Sequence, residues 1–506
     1  MRVGGNVIGK LLRCAALRFY FHHVNAFILS NCEMTSTKEQ LLERLKPFGQ
    51  QHLLNWWDEL SADQQNALAE RIQQIDFALI EKIRQAAGNK EAADGAADSA
   101  ARIESAAAPR SVVLQPTTDA ERNQQQNDTA LGEQLLADGK VAVITVAGGQ
   151  GSRLGFDAPK GMFPIGPVTD RTLFQIFAEQ IAARKKRHGG QIPWLIMTSA
   201  ATHQPTVDFF QQQNHFGLDH ATIHFFQQGS LPAVDAKTGK VLMADKASIC
   251  LSPDGHGGLV TALESSGLLK QLADAGVEQI FYHQVDNPTV IMCDPALIGV
   301  HRRRESQLTT NVVKKSSPTE KMGVLVDVNG RLEIIEYSEL TEEQAAKEDE
   351  SGQWIFWAGN TAIHVFARTF FEELASDGCR LELHVANKKV AHIDQHGQPV
   401  EPESPNANKF ERFIFDALPL AKNALIVEGN RDREFNPVKN ADGSDSPATS
   451  RAALNRIGRE WLAKAGHNIP DGTNVEISPL IALDEDELAT KLSDGTVSVS
   501  DLTDAD

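Results

Sequence analysis

In the stretch from Ala147 to Lys160, AGGQGSRLGFDAPK, four glycines (Gly148, Gly149, Gly151 and Gly155) are combined with Arg153 and Lys160. Glycine lets the backbone approach an anion and turn its N–H groups towards it, while Arg and Lys supply charge that backbone dipoles cannot. Such a loop suits a polyphosphate. Two common phosphate loops are excluded by spacing. G-x-x-x-x-G-K-[ST] needs Lys directly after its last glycine, but Phe156 follows Gly155, and G-x-G-x-x-G needs glycine where Leu154 stands. Taken alone, the loop could equally be a tight strand-to-loop connection.

A phosphate loop has to be presented by a rigid element. Val141 to Val146, six β-branched or small apolar residues, read as a strand buried on both faces. Thr172 with Gln175 predicts a capping box, and the helix it opens has Leu173, Phe174, Phe177 and Ile181 on its apolar face. Lys185, Lys186 and Arg187 before Gly189 read as its solvated end. Trp194 to Met197, Thr222 to Phe226 and Gln279 to Val285 are further strands, the last preceded by a helix from Leu259 to Ala273. Strands alternating with helices predict an α/β fold with a mostly parallel sheet. Ligands of such sheets lie beyond the carboxyl ends of the strands, which makes Gln227, Gln228, Asp286 and Asn287 candidates. An isolated Asp before Asn-Pro also suits a turn. Asn329-Gly330 between two apolar runs, Val324–Val328 and Arg331–Tyr337, predicts a hairpin and a mixed sheet. Beyond it come an apolar run, Trp354 to Phe366, interrupted by Ala358-Gly359-Asn360, a helix near Phe410–Leu418, a strand Ala424–Val427, and a loop with Arg431, Arg433 and Lys439. A last helix is predicted near Ala452–Ala465.

The remaining chain divides by composition. Residues 1–33 carry Arg2, Lys10, Arg13 and Arg18, have no apolar run long enough to cross a membrane, and read as an upstream extension or a misassigned start. Residues 34–86 have apolar positions at helical spacing, with Trp56 and Trp57 as core anchors. Residues 87–135, rich in Ala, Asp and Ser and then in Gln and Asn, read as a linker or mobile cover. A catalytic domain is expected over 136–420 and a small C-terminal domain with an acidic tail over 421–506. Over 506 residues, 41% hydrophobic residues suffice for a large core. The formal charge of −18 argues against nucleic acid and anionic membranes as partners, so an anionic substrate needs a local cationic pocket. Five scattered cysteines without C-x-x-C spacing oppose a disulfide framework and structural zinc, and fit a reducing cytoplasm.

The string GGQGSRLG followed by PK resembles the signature of the UTP-dependent sugar-nucleotide pyrophosphorylases. From about Glu39 to about His467 the chain is similar to the UDP-N-acetylhexosamine pyrophosphorylases. Blocks such as GMFPIGP, FFQQGSLPA, PDGHGGL, VDNP, PTEKMGV, IEYSE, AGN and NPVKNAD occur in that family's order. The resemblance implies a glycosyltransferase-A-like, Rossmann-like catalytic domain between a helical N-terminal region and a small C-terminal domain. It also implies a uridylyltransferase that joins UTP and a hexose or hexosamine 1-phosphate, with N-acetylglucosamine 1-phosphate as the first choice, giving UDP-sugar and pyrophosphate.

The resemblance carries roles to matching positions. Gly148, Gly149, Gly151 and Gly255 would contact the nucleotide and Gln228 the uracil. Arg153, Lys160 and Lys439 would neutralise phosphates, with Lys409 as a further phosphate lysine, and Asp286 would hold Mg²⁺. Gly323, Glu336, Tyr337 and Asn360 would lie at the sugar. Two positions depart from the pattern: His256 and Trp357 stand where hexosamine enzymes usually have Asn. They leave two alternatives open: a UDP-glucose, UDP-galactose or broad-range enzyme, and an inactive nucleotide-sugar-binding protein.

Overall fold

The apolar runs become strands at the predicted positions. In the computed structural model, which describes residues 36–89 and 100–504, ten strands make one sheet. They are β1 (Ala106–Ala107), β2 (Val141–Val146), β3 (Trp194–Thr198), β4 (Ile223–Gln227), β5 (Gln279–Gln284), β6 (Leu308–Lys314), β7 (Val324–Val328), β8 (Arg331–Ile335), β9 (Ala358–Ala367) and β10 (Ala424–Glu428). Strands β4, β3, β2 and β5 are adjacent in that order and parallel. Val141 to Ile144 are wholly buried, as a strand covered on both faces must be. β9 runs antiparallel to β5 and β6, while β10 lies parallel to β6. Asn329 (φ 55°) and Gly330 (φ 83°) supply the two positive φ values that a two-residue turn between β7 and β8 requires. The sheet is therefore mixed, with a parallel group whose carboxyl ends open on one side.

The chain gathers into two compact units. The smaller holds described residues 36–86 with 232–251 and 387–409. Its helices α1 (Lys38–Leu45) and α2 (Ala62–Gln74) bury Leu41, Leu45, Leu68 and Ile72. Of the two predicted core anchors Trp57 is buried but Trp56 only half-buried, and Gln50 ties distant segments by donating to Gly239 O (3.0 Å) and accepting from Val241 N (2.9 Å). The larger unit holds the sheet and the helices around it: α3 (Asp119–Ala137), α4 (Leu173–His188), α5 (Leu259–Ser265), α6 (Leu268–Asp274), α7 (Pro295–Arg303), α8 (Pro447–Lys464) and α9 (Glu485–Ser493).

Several expectations need correction. Part of the predicted linker, residues 119–135, lies in the well-capped helix α3, whose Thr118 and Glu121 cap each other reciprocally. It meets α7 backbone to backbone. A Cβ on Gly132 would stand 2.0 Å from Pro295 O, and one on Gly299 1.7 Å from Asp128 O. Arg303 adds a two-pronged ion pair to Asp128, at 2.5 and 2.9 Å. The helix predicted over 259–273 is broken at Gly267 (φ 72°) into α5 and α6. Residues 410–418 are not an α-helix: an extended segment ends at Glu411, and the 3₁₀ turn Ile414–Leu420 that follows contains Pro419. β10, expected in the C-terminal domain, belongs to the central sheet. Residues 1–33, expected as an extension, lie outside the described residues.

At the start of α4, Thr172 accepts from Gln175 N (3.2 Å), but the Gln175 amide turns to Glu179 (2.9 Å), so only half of the predicted capping box is made. At its end Gly189 adopts φ 90°, and Arg187 is not merely solvated but pairs with Asp484 and Glu487 at the start of α9. A carboxylate from the C-terminal segment holds the chain ahead of α4. Glu476 accepts from Val168 N (2.7 Å), Thr169 N (2.8 Å), the Thr169 hydroxyl (2.7 Å) and Arg171 (2.5 Å). Ser478 in turn donates to Glu179 at 2.6 Å.

Candidate active site

The loop after β2 folds back on itself. Gly151 N donates to Ala158 O (2.8 Å) and Lys160 N to Gly149 O (3.0 Å), which returns Lys160 to the glycines. Gly148 has a definite steric reason: a Cβ there would stand 2.4 Å from Gln228 Oε1. The Ser199 hydroxyl donates to Gly148 O (2.9 Å) and Gln228 N to Thr198 O (2.8 Å). The carboxyl ends of β2, β3 and β4 are thus joined around the predicted nucleotide residues. On the other side, Lys160 Nζ donates to Val438 O (3.3 Å), and Val438 N donates to Asp286 O beyond β5 (2.7 Å). These two bonds tie the loop lysine, the metal candidate and the segment bearing Lys439 together.

A cavity of about 700 Å³ opens here, and Arg153, Asp286 and Lys439 line it with His256, Gly323, Glu336, Tyr337 and Asn360. Gly148, Gly149, Gly151, Lys160, Gln228 and Gly255 lie outside its lining, and Lys409 belongs to the smaller unit. A larger cavity of about 1000 Å³, bordered by α3, α7 and β10, contains none of the predicted residues.

Charge is distributed unevenly around the 700 Å³ cavity. Arg153 is exposed and has no hydrogen-bond or ion-pair partner among the described residues, so it is free to meet an anion. Lys439 is held: its Nζ is 3.9 Å from Asp445 Oδ2 and 5.3 Å from the centre of the Phe435 ring. Burial pushes the Asp445 carboxyl up, against the pull of Lys439. Glu336 is also pushed up by burial, with Glu339 adding and Lys439 opposing. A Cβ on Gly323 would meet Glu336 Oε1 at 3.0 Å, so these two residues, expected at the sugar, adjoin. Asn360 N donates to Gly323 O (2.9 Å), and the Asn360 amide oxygen accepts from Ala362 N (3.1 Å).

His256 has two jobs. Its Nδ1 accepts from Ile414 N (3.1 Å), and the ring packs against Phe413 and Phe415 at 5.4 and 5.5 Å. Burial pushes it down to about 4, so at neutral pH it is uncharged. With Nδ1 accepting, the proton sits on Nε2, leaving a neutral donor at the cavity wall. Trp357, paired with it in the sequence reading, is 5% exposed, packs in the main hydrophobic core and does not line the cavity.

Comparisons with known proteins show what this chain is similar to. The family described as UTP–glucose-1-phosphate uridylyltransferase matches residues 95–490. A UDP-N-acetylhexosamine pyrophosphorylase-like protein 1 from Xenopus tropicalis is 35% identical, over 93% of this chain and 97% of its own. UDP-N-acetylglucosamine diphosphorylase 2 from Arabidopsis thaliana is 35% identical, over 88% and 90% respectively. The uridine diphosphate N-acetylglucosamine pyrophosphorylase from Trypanosoma brucei superposes with a TM-score of 0.76 at 26% identity, covering 92% of this chain and 96% of that one. This chain belongs to the UTP–glucose-1-phosphate uridylyltransferase family, among the UDP-N-acetylhexosamine pyrophosphorylases.

As a member of a uridylyltransferase family, it is a nucleotidyltransferase. Among the described residues no helix is long and apolar enough to cross a membrane. Nor do they contain a group of three or more His, Cys, Asp or Glu suited to a metal. Asp286 shares the open cavity with Glu320, Glu336 and Asp445, and no Cys lines it, so this oxygen-rich donor set does not suit structural zinc. It does fit Mg²⁺, which takes one or two carboxylates and completes its shell with waters and substrate phosphates. Sequence reasoning missed Phe415, Arg431, Asp445 and Glu320, which also line the cavity. In the sequence Arg431 reads only as a loop cation, and Glu320 as one residue of the block PTEKMGV.

Proposed function

We propose that the enzyme joins UTP and N-acetylglucosamine 1-phosphate to give UDP-N-acetylglucosamine and pyrophosphate. The observation that carries this reading is one cavity lined at once by the phosphate candidates Arg153, Asp286 and Lys439 and by the sugar candidates His256, Gly323, Glu336, Tyr337 and Asn360. The names of the relatives support the choice of sugar.

In the reaction a phosphate oxygen of the sugar phosphate attacks the α-phosphorus of UTP. The new P–O bond forms as the bond from the α-phosphorus to the bridging oxygen breaks, and pyrophosphate leaves with that electron pair. No covalent enzyme intermediate is needed, so the residues act by positioning and by neutralising charge. Gly148, Gly149, Gly151 and Gly255 keep the backbone close to the nucleotide, and the Gln228 amide offers a donor and an acceptor to uracil. Arg153, Lys160 and Lys439 neutralise the triphosphate and the departing pyrophosphate, and Lys409 is a further phosphate candidate. Asp286 would hold Mg²⁺, which supplies charge neutralisation across the phosphates. His256 Nε2, a neutral donor, faces a sugar hydroxyl or carbonyl. A reducing cytoplasm is the proposed compartment, from the scattered cysteines.

His256 also favours a second reading, in which glucose or galactose 1-phosphate is accepted. The test is pyrophosphate release from UTP and Mg²⁺ with the 1-phosphates of N-acetylglucosamine, N-acetylgalactosamine, glucose and galactose. Release with the N-acetylated sugars alone supports the first reading, and release with glucose supports the second. A protein that binds UDP-sugar but releases no pyrophosphate with any of them is a binding protein.

A further inference from the structure

One carboxylate near the candidate site is buried with an oxygen left unpartnered. Asp254 is 3% exposed, and its Oδ1 has no hydrogen-bond partner. The cation that acts on it, Arg412, donates its Nε to Leu381 O at 3.3 Å. A buried carboxylate with an unsatisfied oxygen works against stability.

Its surroundings explain its place. Asp254 N donates to Gly229 O (3.1 Å), and Gly229 directly follows Gln228. A Cβ on Gly229 would stand 2.4 Å from Asp254 Oδ2. A Cβ on Gly258, from the other loop, would stand 2.0 Å from Oδ1. Gly258 closes the turn that begins at Gly255 and carries His256, through Gly258 N donating to Gly255 O at 3.1 Å. The carboxylate therefore fills the space between two loops, and each loop offers a glycine to it. Backbone bonds fix the wedge from behind: Arg412 N donates to Asp254 O (2.7 Å), and Gly257 N donates to Arg412 O (2.8 Å).

We propose that Asp254 is a positioning residue, a wedge that sets the spacing between the loop bearing Gln228 and the turn bearing Gly255 and His256. The inference rests on reading the site as a UTP site. With the wedge in place, an amide that reads the base and a turn that meets nucleotide and sugar stand at one separation. Asp254 touches no substrate and acts through these loops.

The test is calorimetric titration of the full chain with UTP and with CTP, beside thermal melting. Asp254→Ala, which empties the wedge, lowers UTP affinity by about tenfold or more, since small misplacements of positioned groups are costly. It also narrows the preference for UTP over CTP, a change that mere loss of stability would not produce. Asp254→Asn, which keeps the volume and removes the charge, retains UTP affinity and melts no lower than the wild type. UTP affinity unchanged in Asp254→Ala overturns the proposal, as does an Asp254→Asn protein as weak as Asp254→Ala. Should Asp254→Ala fail to fold, Gly229→Ala presses on the same carboxylate from the loop bearing Gln228. It is expected to weaken UTP binding, and full affinity there overturns the wedge. A wild-type protein that binds UTP yet releases no pyrophosphate rejects the proposed reaction, while the comparison of Asp254 variants still decides this inference.

Discussion

Arg153 and Lys439 line the same cavity in opposite conditions, and their variants should differ accordingly. Arg153 has no partner to lose, so Arg153→Ala is expected to lower kcat by about 10²–10³, the usual cost of one charge-stabilising group, with an unchanged melting temperature. Lys439→Ala strands Asp445 beside the cavity and should alter stability as well as rate. Asp286→Asn keeps the shape of the side chain, so its expected result is loss of most Mg²⁺-dependent turnover in a protein that melts normally. Near wild-type rates, measured as pyrophosphate release across a Mg²⁺ titration, would remove Asp286 from the metal role. His256→Asn is expected to raise kcat/KM for N-acetylated sugars relative to glucose 1-phosphate if the turn reads the 2-substituent. An unchanged ratio rejects that role. At this scale the sequence was informative where a residue's position follows from its own element: of the loop cations and strand-end polar residues it singles out, Arg153 and Asp286 do line the cavity. Phe415, Asp445 and Arg431 did not, because their reason is proximity to residues far along the chain.

Strands and helices were legible to the extent that hydropathy governs them. β2 and β5 have nearly every side chain buried, and their apolar runs say so. The hairpin between β7 and β8 was signalled by the two residues able to take positive φ. Helix α3 was hidden because its contact with α7 is made by glycine and backbone rather than by an apolar stripe, so a Gln- and Asn-rich run looked like a linker. Proline inside Ile414–Leu420 likewise turned an apparently helical pattern into a 3₁₀ turn. The seam between α3 and α7 gives a prediction of its own. Gly299→Ala inserts a methyl where Asp128 O stands, and should destabilise the protein by about 1–3 kcal/mol, as overpacking does. Urea unfolding checks the loss, and UTP affinity is expected to remain unchanged because the seam borders none of the site residues.

For the molecule as a whole, buried titratable groups set the response to acid. Burial holds His283, His301 and His364 down to about 3, and His256 to about 4, from an ordinary 6.5. Below pH 6.5 the unfolded chain binds protons that the folded chain refuses, so these four groups remove stability as pH falls. Glu434, pushed up to about 7, and Asp254, pushed up to about 6, act in the opposite sense, because the folded chain binds their protons more readily. Four histidines outweigh two carboxylates whose displacements are no larger. The melting temperature is therefore expected to fall between pH 7 and pH 5; a rise would mean that the carboxylates dominate.

The Glu476 clamp has a temporal consequence as well. Val168, Thr169 and Arg171 are synthesised about three hundred residues before the carboxylate that satisfies them, and Glu179 equally long before Ser478. While the chain is still being made, Arg171 can pair with Glu179, but the backbone N–H groups of Val168 and Thr169 lack the carboxylate that later receives them. The turn ahead of α4 therefore gains its last hydrogen bonds only when the segment bearing Glu476 is present, which places this tie among the late events of biosynthesis.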